Sequence, residues 1–319
     1  MPRIQKLPKR LQPMLATLTD APFEDPDWVF ETKWDGFRMV ASIVGGTVTL
    51  YSRNGQTISD SYRVVAQALE KVKMDAVLDG ELVALDARGV SRFQLLQNAL
   101  RAEAPLRYYI FDVMFAGGED LRGLPLVERK TRLRRILPKH PLLAFSAHRP
   151  ASGIAFFEEA QASGLEGIMA KRASSPYRSG ARTADWLKIK TARRQEVVIA
   201  GFTAPRRSRA YFGALVLALR EGKTWRYIGH VGTGFSHATL EDLYRKLWKI
   251  RASASPFARR VKDEAVTTWV KPRLVAEVKF TEWTSAGEMR HPVFLGLRED
   301  KRADEVVLEK AKTSRAGKS

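Results

Sequence analysis

The stretch Glu31-Thr32-Lys33-Trp34-Asp35-Gly36-Phe37-Arg38 decides how this chain is read. Extended runs flank it, Val29–Thr32 before and Arg38–Ile43 after, so a lysine at a strand end is followed at once by Asp-Gly and then by arginine. One short loop thus carries an amine, an acid and a guanidinium. An amine attacks phosphorus only when it is deprotonated and the phosphate charge is neutralised nearby. Taken alone, KxDGxR also suits an ordinary surface turn, and what raises it is the company it keeps further along.

Outward from this loop the first part of the chain reads as mixed α and β. Thr47–Tyr51 is a strand expected to pair back through Val44-Gly45-Gly46-Thr47, and Tyr62–Lys73 has helical periodicity with Val65, Leu69 and Val72 on one face. Ala76–Leu78 and Leu82–Leu85 read as two strands flanking Asp79-Gly80-Glu81, which would deliver Glu81 to a cleft. Phe93–Arg101 and Leu126–Leu137 are expected as helices and Leu106–Phe115 as a buried strand. Ile154–Ser163 reads as a helix stopped by Gly164, and Gly167–Lys171 as a return to strand.

The pattern changes after Lys190. Ala192-Arg193-Arg194-Gln195 is a polar joint, followed by strand candidates Glu196–Thr203, Phe212–Arg220 and Thr224–Val231, a helix Leu240–Ile250 and a further strand Leu274–Trp283. Strands with one inserted helix fit a small oligonucleotide-binding barrel, an architecture that does not by itself name a function.

Bulk properties narrow the class. The chain has 319 residues, enough for two domains with real cores, and a formal net charge of +19 that points to a polyanionic partner. Cysteine is absent, which excludes a disulfide framework and thiolate metal sites and suits a reducing cytoplasm. Met1 to Arg10 is basic without the apolar run of a signal peptide, and no stretch has the apolar length of a membrane span. A soluble intracellular protein is expected, with no membrane association.

Five further islands follow the first in order: Ser52-Arg53-Asn54-Gly55, Asp79-Gly80-Glu81-Leu82, Tyr109-Ile110-Phe111-Asp112, Glu166-Gly167-Ile168-Met169-Ala170-Lys171 and Trp186-Leu187-Lys188-Ile189-Lys190. The set resembles the ATP-dependent DNA ligases of the covalent nucleotidyltransferase superfamily, over about residues 10 to 308. The closing Arg290-His291-Pro292-Val293-Phe294-Leu295-Gly296-Leu297-Arg298-Glu299-Asp300-Lys301 is most similar to the ligase module of bacterial end-joining ligases of the ligase D type. The resemblance implies an α+β nucleotidyltransferase (adenylation) domain over 1–191 and a C-terminal oligonucleotide-binding β-barrel over 192–309. Residues 310–319 would form a basic disordered tail.

What the resemblance implies for chemistry can be set down residue by residue. Lys33 would attack the α-phosphorus of ATP and carry AMP, while Lys188 and Lys190, two apart on one strand face, would contact the α-phosphate. Asp35 either orients Lys33 or caps the turn. Glu81 suits the ribose hydroxyls and Glu166 a divalent cation, Mg²⁺ or Mn²⁺, with both glutamates counted as metal candidates; solvated or ion-paired side chains are the plain alternative. Phe111 and Met169 would sandwich adenine, although both are also ordinary core residue types. Glu31 and Thr32 would reach the adenine edge, partly through backbone, and Lys171 joins the nucleotide-binding set.

Arg38 and Arg53 suit ribose and the 5′-phosphate of a nick, because guanidinium binds phosphate in a bidentate fork. Arg298, Asp300 and Lys301 form an RxDK ending that in the family orients the leaving pyrophosphate. Arg193 and Arg194 in the joint, and Arg206, Arg207 and Arg209 in the following loop, are basic clusters expected to contact DNA phosphates. The expected partner is nicked or broken duplex DNA, joined by a Ku-like end-binding protein by resemblance only, with the ligase acting as a monomer on the bacterial nucleoid.

Overall fold

A computed structural model describes residues 12–96, 105–205 and 210–309. The chain divides into two compact units, one running to Thr191 and the other covering Ala192–Glu309. Arg206, Arg207, Arg209 and the tail 310–319 expected to be disordered lie outside the described residues.

The first unit contains two sheets. One has the order Leu15–Leu18, Arg182–Lys190, Gly167–Arg172, Asp25–Thr32, His148–Ala151; the other has the order Thr47–Ser52, Phe37–Val44, Ala76–Ala84, Leu106–Ala116, Glu119–Asp120. Alternation decides what each face does. In Phe37–Val44, Met39, Ala41 and Ile43 join a core with Leu50, Leu78 and the buried face of helix Arg63–Leu69, whereas Val40 joins a separate core with Val29, Val77, Phe111, Met114 and Trp186. That second core draws on both sheets, so it lies between them. Behind the first sheet, Trp28, Phe30, Ile168, Ala170 and Ile189 pack with Phe156, Phe157 and Ala160 of helix Gly153–Ala162. Helix Leu126–Ile136 sends Leu126 into the inter-sheet core and Leu133 into the other core of its own sheet.

The second unit is a barrel of strands Thr224–Val231, Leu215–Glu221, Arg194–Thr203, Val275–Lys279 and Val293–Leu297, with Thr267–Trp269 also on Arg194–Thr203. A bridge from Thr233 to Val293 joins the two ends of this order. Helix His237–Lys249 buries Leu240, Leu243 and Leu247, and Ser236 caps it by accepting from the Thr239 amide at 3.1 Å. The α+β fold with a C-terminal barrel is the one expected.

Several element expectations are corrected. The two strands expected on either side of Asp79-Gly80-Glu81 are one: Ala76–Ala84 is a continuous nine-residue strand. Glycine is admitted mid-strand because the neighbouring chain is close, and a Cβ at Gly80 would lie 2.5 Å from the Tyr109 carbonyl oxygen. The helix expected over Tyr62–Lys73 is shorter, Arg63–Leu69. Residues 93–96 are helical, and the rest of the helix expected at Phe93–Arg101 lies outside the described residues. The Phe212–Arg220 strand is displaced to Leu215–Glu221, and Leu274–Trp283 is split into Val275–Lys279 and Glu282–Trp283.

Candidate active site

Register in the first sheet gathers the expected residues onto one face. His148, Glu31, Met169 and Lys188 form one cross-strand row, and Val29, Lys171 and Trp186 the next in line on the same face. A third row holds Lys33, whose amide donates to the Gly167 carbonyl at 3.0 Å, and Lys190 opposite Gly167. Lys33, Lys171, Lys188, Lys190, Glu31 and Met169 therefore share a face. Thr32 does not: it is registered with Ile168 on the face covered by the helix, so its contribution to this side is limited to backbone.

Gly167 makes the third row possible. Its φ is +154°, and a Cβ there would lie 2.0 Å from the Ile189 carbonyl oxygen. The close approach brings Glu166 beside Lys33, and the buried carboxylate and the ammonium form an ion pair. The Glu166 carbonyl accepts from the Thr191 amide at 3.0 Å, which ties this point to the end of the neighbouring strand.

Glu31 is the centre of a buried network. Its Oε1 accepts from Lys130 Nζ at 2.9 Å and lies 3.1 Å from Lys171 Nζ, and its Oε2 accepts from Ser146 Oγ at 3.1 Å. Burial alone would raise the Glu31 carboxyl, but Lys130 and Lys171 outweigh it and hold the group below the ordinary carboxylate value. Lys171, 4.1 Å from the Phe111 ring centre and 4.3 Å from that of Trp186, is pulled down by burial to about 8 despite Glu31. Burial, then Lys130, lowers His148 as well. Trp34, next to Lys33, donates to Ser146 Oγ at 3.2 Å and stacks on Tyr109 at 3.5 Å.

The second sheet supplies Arg38, Glu81 and Tyr109 as one row. Phe111 falls in a bulge: Gly80 pairs with Ile110 and Asp79 with Asp112, which leaves Phe111 as the extra residue. The bulge turns Phe111 into the inter-sheet core, where Arg38 lies 4.5 Å from its ring centre. Arg38 donates twice to Asp79, each at 2.6 Å, and Tyr177 donates to the same carboxylate at 2.6 Å. Burial opposes the charge on Arg38, yet Asp79 more than compensates and raises its pKa. Asp112 is held by Arg129 through two bonds of 2.8 Å, both side chains fully buried.

The other expected residues fall as follows. Asp35 is buried, and its amide donates to Ser91 Oγ at 3.1 Å; Arg53 and Glu81 are half-buried. Arg193, exposed, and Arg194, half-buried, belong to the barrel unit, where the Arg193 carbonyl accepts from the Phe280 amide. So do Arg298, Asp300 and Lys301, which are engaged inside it: Arg298 donates twice to Asp300 at 2.8 Å, and Lys301 lies 2.9 Å from Glu196.

Sequence reasoning missed Lys130, Ser146, Asp79 and Tyr177. A signal existed for Lys130, because it stands at a helical spacing from Leu126 and Leu133 where the buried stripe calls for an apolar residue. Among the described residues no group of three His, Asp or Glu side chains is poised as a metal cage.

Two family models match the chain, the ATP dependent DNA ligase domain over residues 13–190 and the ATP dependent DNA ligase C terminal region over residues 208–301. The multifunctional non-homologous end joining protein LigD of Pseudomonas aeruginosa is 39% identical over 95% of this chain and 37% of its own length. Its counterpart in Mycobacterium tuberculosis is 36% identical over 94% of this chain and 40% of its own length. The chain thus spans about two fifths of these curated relatives. A mycobacterial DNA ligase D complexed with ATP and MES superposes with a TM-score of 0.72 at 34% identity, covering 94% of this chain and 98% of that one. The ligase domain of M. tuberculosis LigD gives a TM-score of 0.54 at 34% identity with the same coverage.

Proposed function

The chain belongs to the ATP-dependent DNA ligase family, and from that premise we propose that it joins a 5′-phosphate to a 3′-hydroxyl in duplex DNA through AMP carried on Lys33. Lys33 Nζ, as the neutral amine, forms a bond to the α-phosphorus of ATP; the bond from that phosphorus to the bridging oxygen breaks, pyrophosphate leaves, and the amine proton is lost. An oxygen of the 5′-phosphate then displaces the lysine, and the 3′-hydroxyl displaces AMP to close the phosphodiester. Each step is phosphoryl chemistry, in which positioning and charge neutralisation carry most of the catalysis.

The observation that carries this reading is the single face holding Lys33, Lys188 and Lys190, with Glu166 paired to Lys33 across Gly167. Lys188 and Lys190, on the same face, would neutralise the α-phosphate. Glu166 engages the Lys33 side chain, so attack on phosphorus requires that contact to open. A divalent ion at Glu166, with Glu81 as a second acidic residue, would screen phosphate charge when bound. Adenine is assigned to the Met169 row and to Phe111, which is nearly covered by its neighbours, so stacking on its ring requires Arg38 or Lys171 to give way.

Similarity to the end-joining proteins supports a role in repair of broken duplexes in the bacterial cytoplasm; a Ku-like end-binding partner and action as a monomer belong to the same proposal. The test is intact-mass spectrometry of the protein with ATP and Mg²⁺, beside Lys33→Ala, followed by nicked DNA. Wild type alone should gain one AMP and lose it on sealing. An adduct that nicked DNA does not discharge, or an adduct on the variant, would overturn the reading.

A further inference from the structure

Three acids and two bases of the barrel unit converge on one point. Glu196 and Glu277 are direct cross-strand partners, an arrangement in which like charges repel. Arg298 resolves it: its Nη1 lies 3.2 Å from Glu277 Oε2 and 3.7 Å from Glu196 Oε1, while its Nε and Nη2 are taken by Asp300. Lys301 reaches the same Glu196 oxygen at 2.9 Å. The side chains of Arg298, Lys301, Asp300 and Glu277 are all at most 14% exposed. Glu196 is on strand Arg194–Thr203, the first element after the boundary at Thr191, and Glu277 is on the next strand in the sheet.

We propose that Glu277 and Glu196 are positioning residues for self-adenylylation, clamping Arg298 and Lys301 to the two strands so that the RxDK side chains keep one fixed geometry. Long basic side chains lose much rotamer freedom on being ordered, and carboxylates that order them in advance remove that loss from the chemical step. The two glutamates hold the cations that act and do not touch the nucleotide themselves. The proposal rests on the reading that Arg298 and Lys301 act in forming the Lys33 adduct.

The experiment uses full-length protein freed of AMP, with Glu277→Gln and Glu196→Gln, and with Arg298→Ala and Lys301→Ala as controls. Three rates are measured: adduct formation from ATP, its reversal by pyrophosphate, and sealing of a nick that already carries AMP on its 5′-phosphate. Glu277→Gln should slow adduct formation and its reversal together, by about tenfold or more, and leave pre-adenylylated sealing within about twofold of wild type. Melting temperatures are recorded alongside, and Glu196→Gln, at the more exposed position, carries the test if Glu277→Gln melts early. Glutamine variants that form the adduct at the wild-type rate, or that lose all three rates equally, overturn the proposal. Should Arg298→Ala and Lys301→Ala form the adduct normally, the reading of the RxDK ending fails first. If only these controls are slow, the ending acts but the glutamates do not position it.

Discussion

At the scale of single residues, Lys171 holds its proton under strong opposition. Its folded pKa of about 8 lies below the ordinary lysine value, so between about 8 and 10.5 the folded protein has shed a proton that the unfolded chain still binds. Over that window stability rises with pH, and below it the penalty for burying the ammonium is fully present. The gain is bounded at about 3 kcal/mol. Denaturant titrations between pH 7 and 10 should show wild type gaining on Lys171→Met as pH rises; parallel curves would mean that Glu31 keeps Lys171 charged throughout. Lys33, Glu166, Lys188 and Lys190 were singled out through the motifs that resemble those of the ligase family, and the fold brings the three lysines onto one face with Glu166 beside Lys33. Lys130 and Ser146, which hydrogen-bond Glu31, were not singled out, because they are 99 and 115 residues from it and only the fold brings them close.

Elements impose their own tests. Strand Leu106–Ala116 and helix Leu126–Ile136 are joined by the fully buried pair Asp112–Arg129, whose guanidinium also donates to the Ser175 carbonyl at 2.8 Å. Arg129→Met leaves a buried carboxylate without its counter-ion and should cost about 3–5 kcal/mol in denaturant unfolding. Adding Asp112→Leu should recover a large part of that loss, and a double variant no more stable than the single would show that packing of Arg129, not charge, was lost. Gly167→Ala introduces a Cβ into the Ile189 carbonyl at a φ that L-residues rarely adopt, so it should both destabilise the protein and slow adduct formation. Adduct formation at the wild-type rate would mean that the strand tolerates the shift. Strand identities were largely readable from alternation, but Ala76–Leu78 and Leu82–Leu85 read as two strands because Asp79-Gly80-Glu81 breaks the apolar run between them. The continuity of Ala76–Ala84 depends on strands on both sides, and the bulge that aims Phe111 depends on a register that no single segment encodes.

For the whole molecule the governing quantity is the net charge of +19. Counterions released from DNA on binding make affinity fall with salt, by a slope of about 0.9 per neutralised phosphate. If Arg206, Arg207 and Arg209 each meet a phosphate, replacing all three by Ala should reduce that slope by about 3, and should weaken nick binding to a similar degree whatever the flanking sequence. Fluorescence anisotropy of a nicked duplex across a salt series measures the slope directly. An unchanged slope would remove this loop from the interface and shift attention to Arg193 and Arg194. The same series run with Lys33→Ala separates binding from chemistry, because loss of one site lysine should change the slope by about one contact at most while abolishing sealing. Charge would then account for how the protein finds DNA, and the Lys33 face for what it does there.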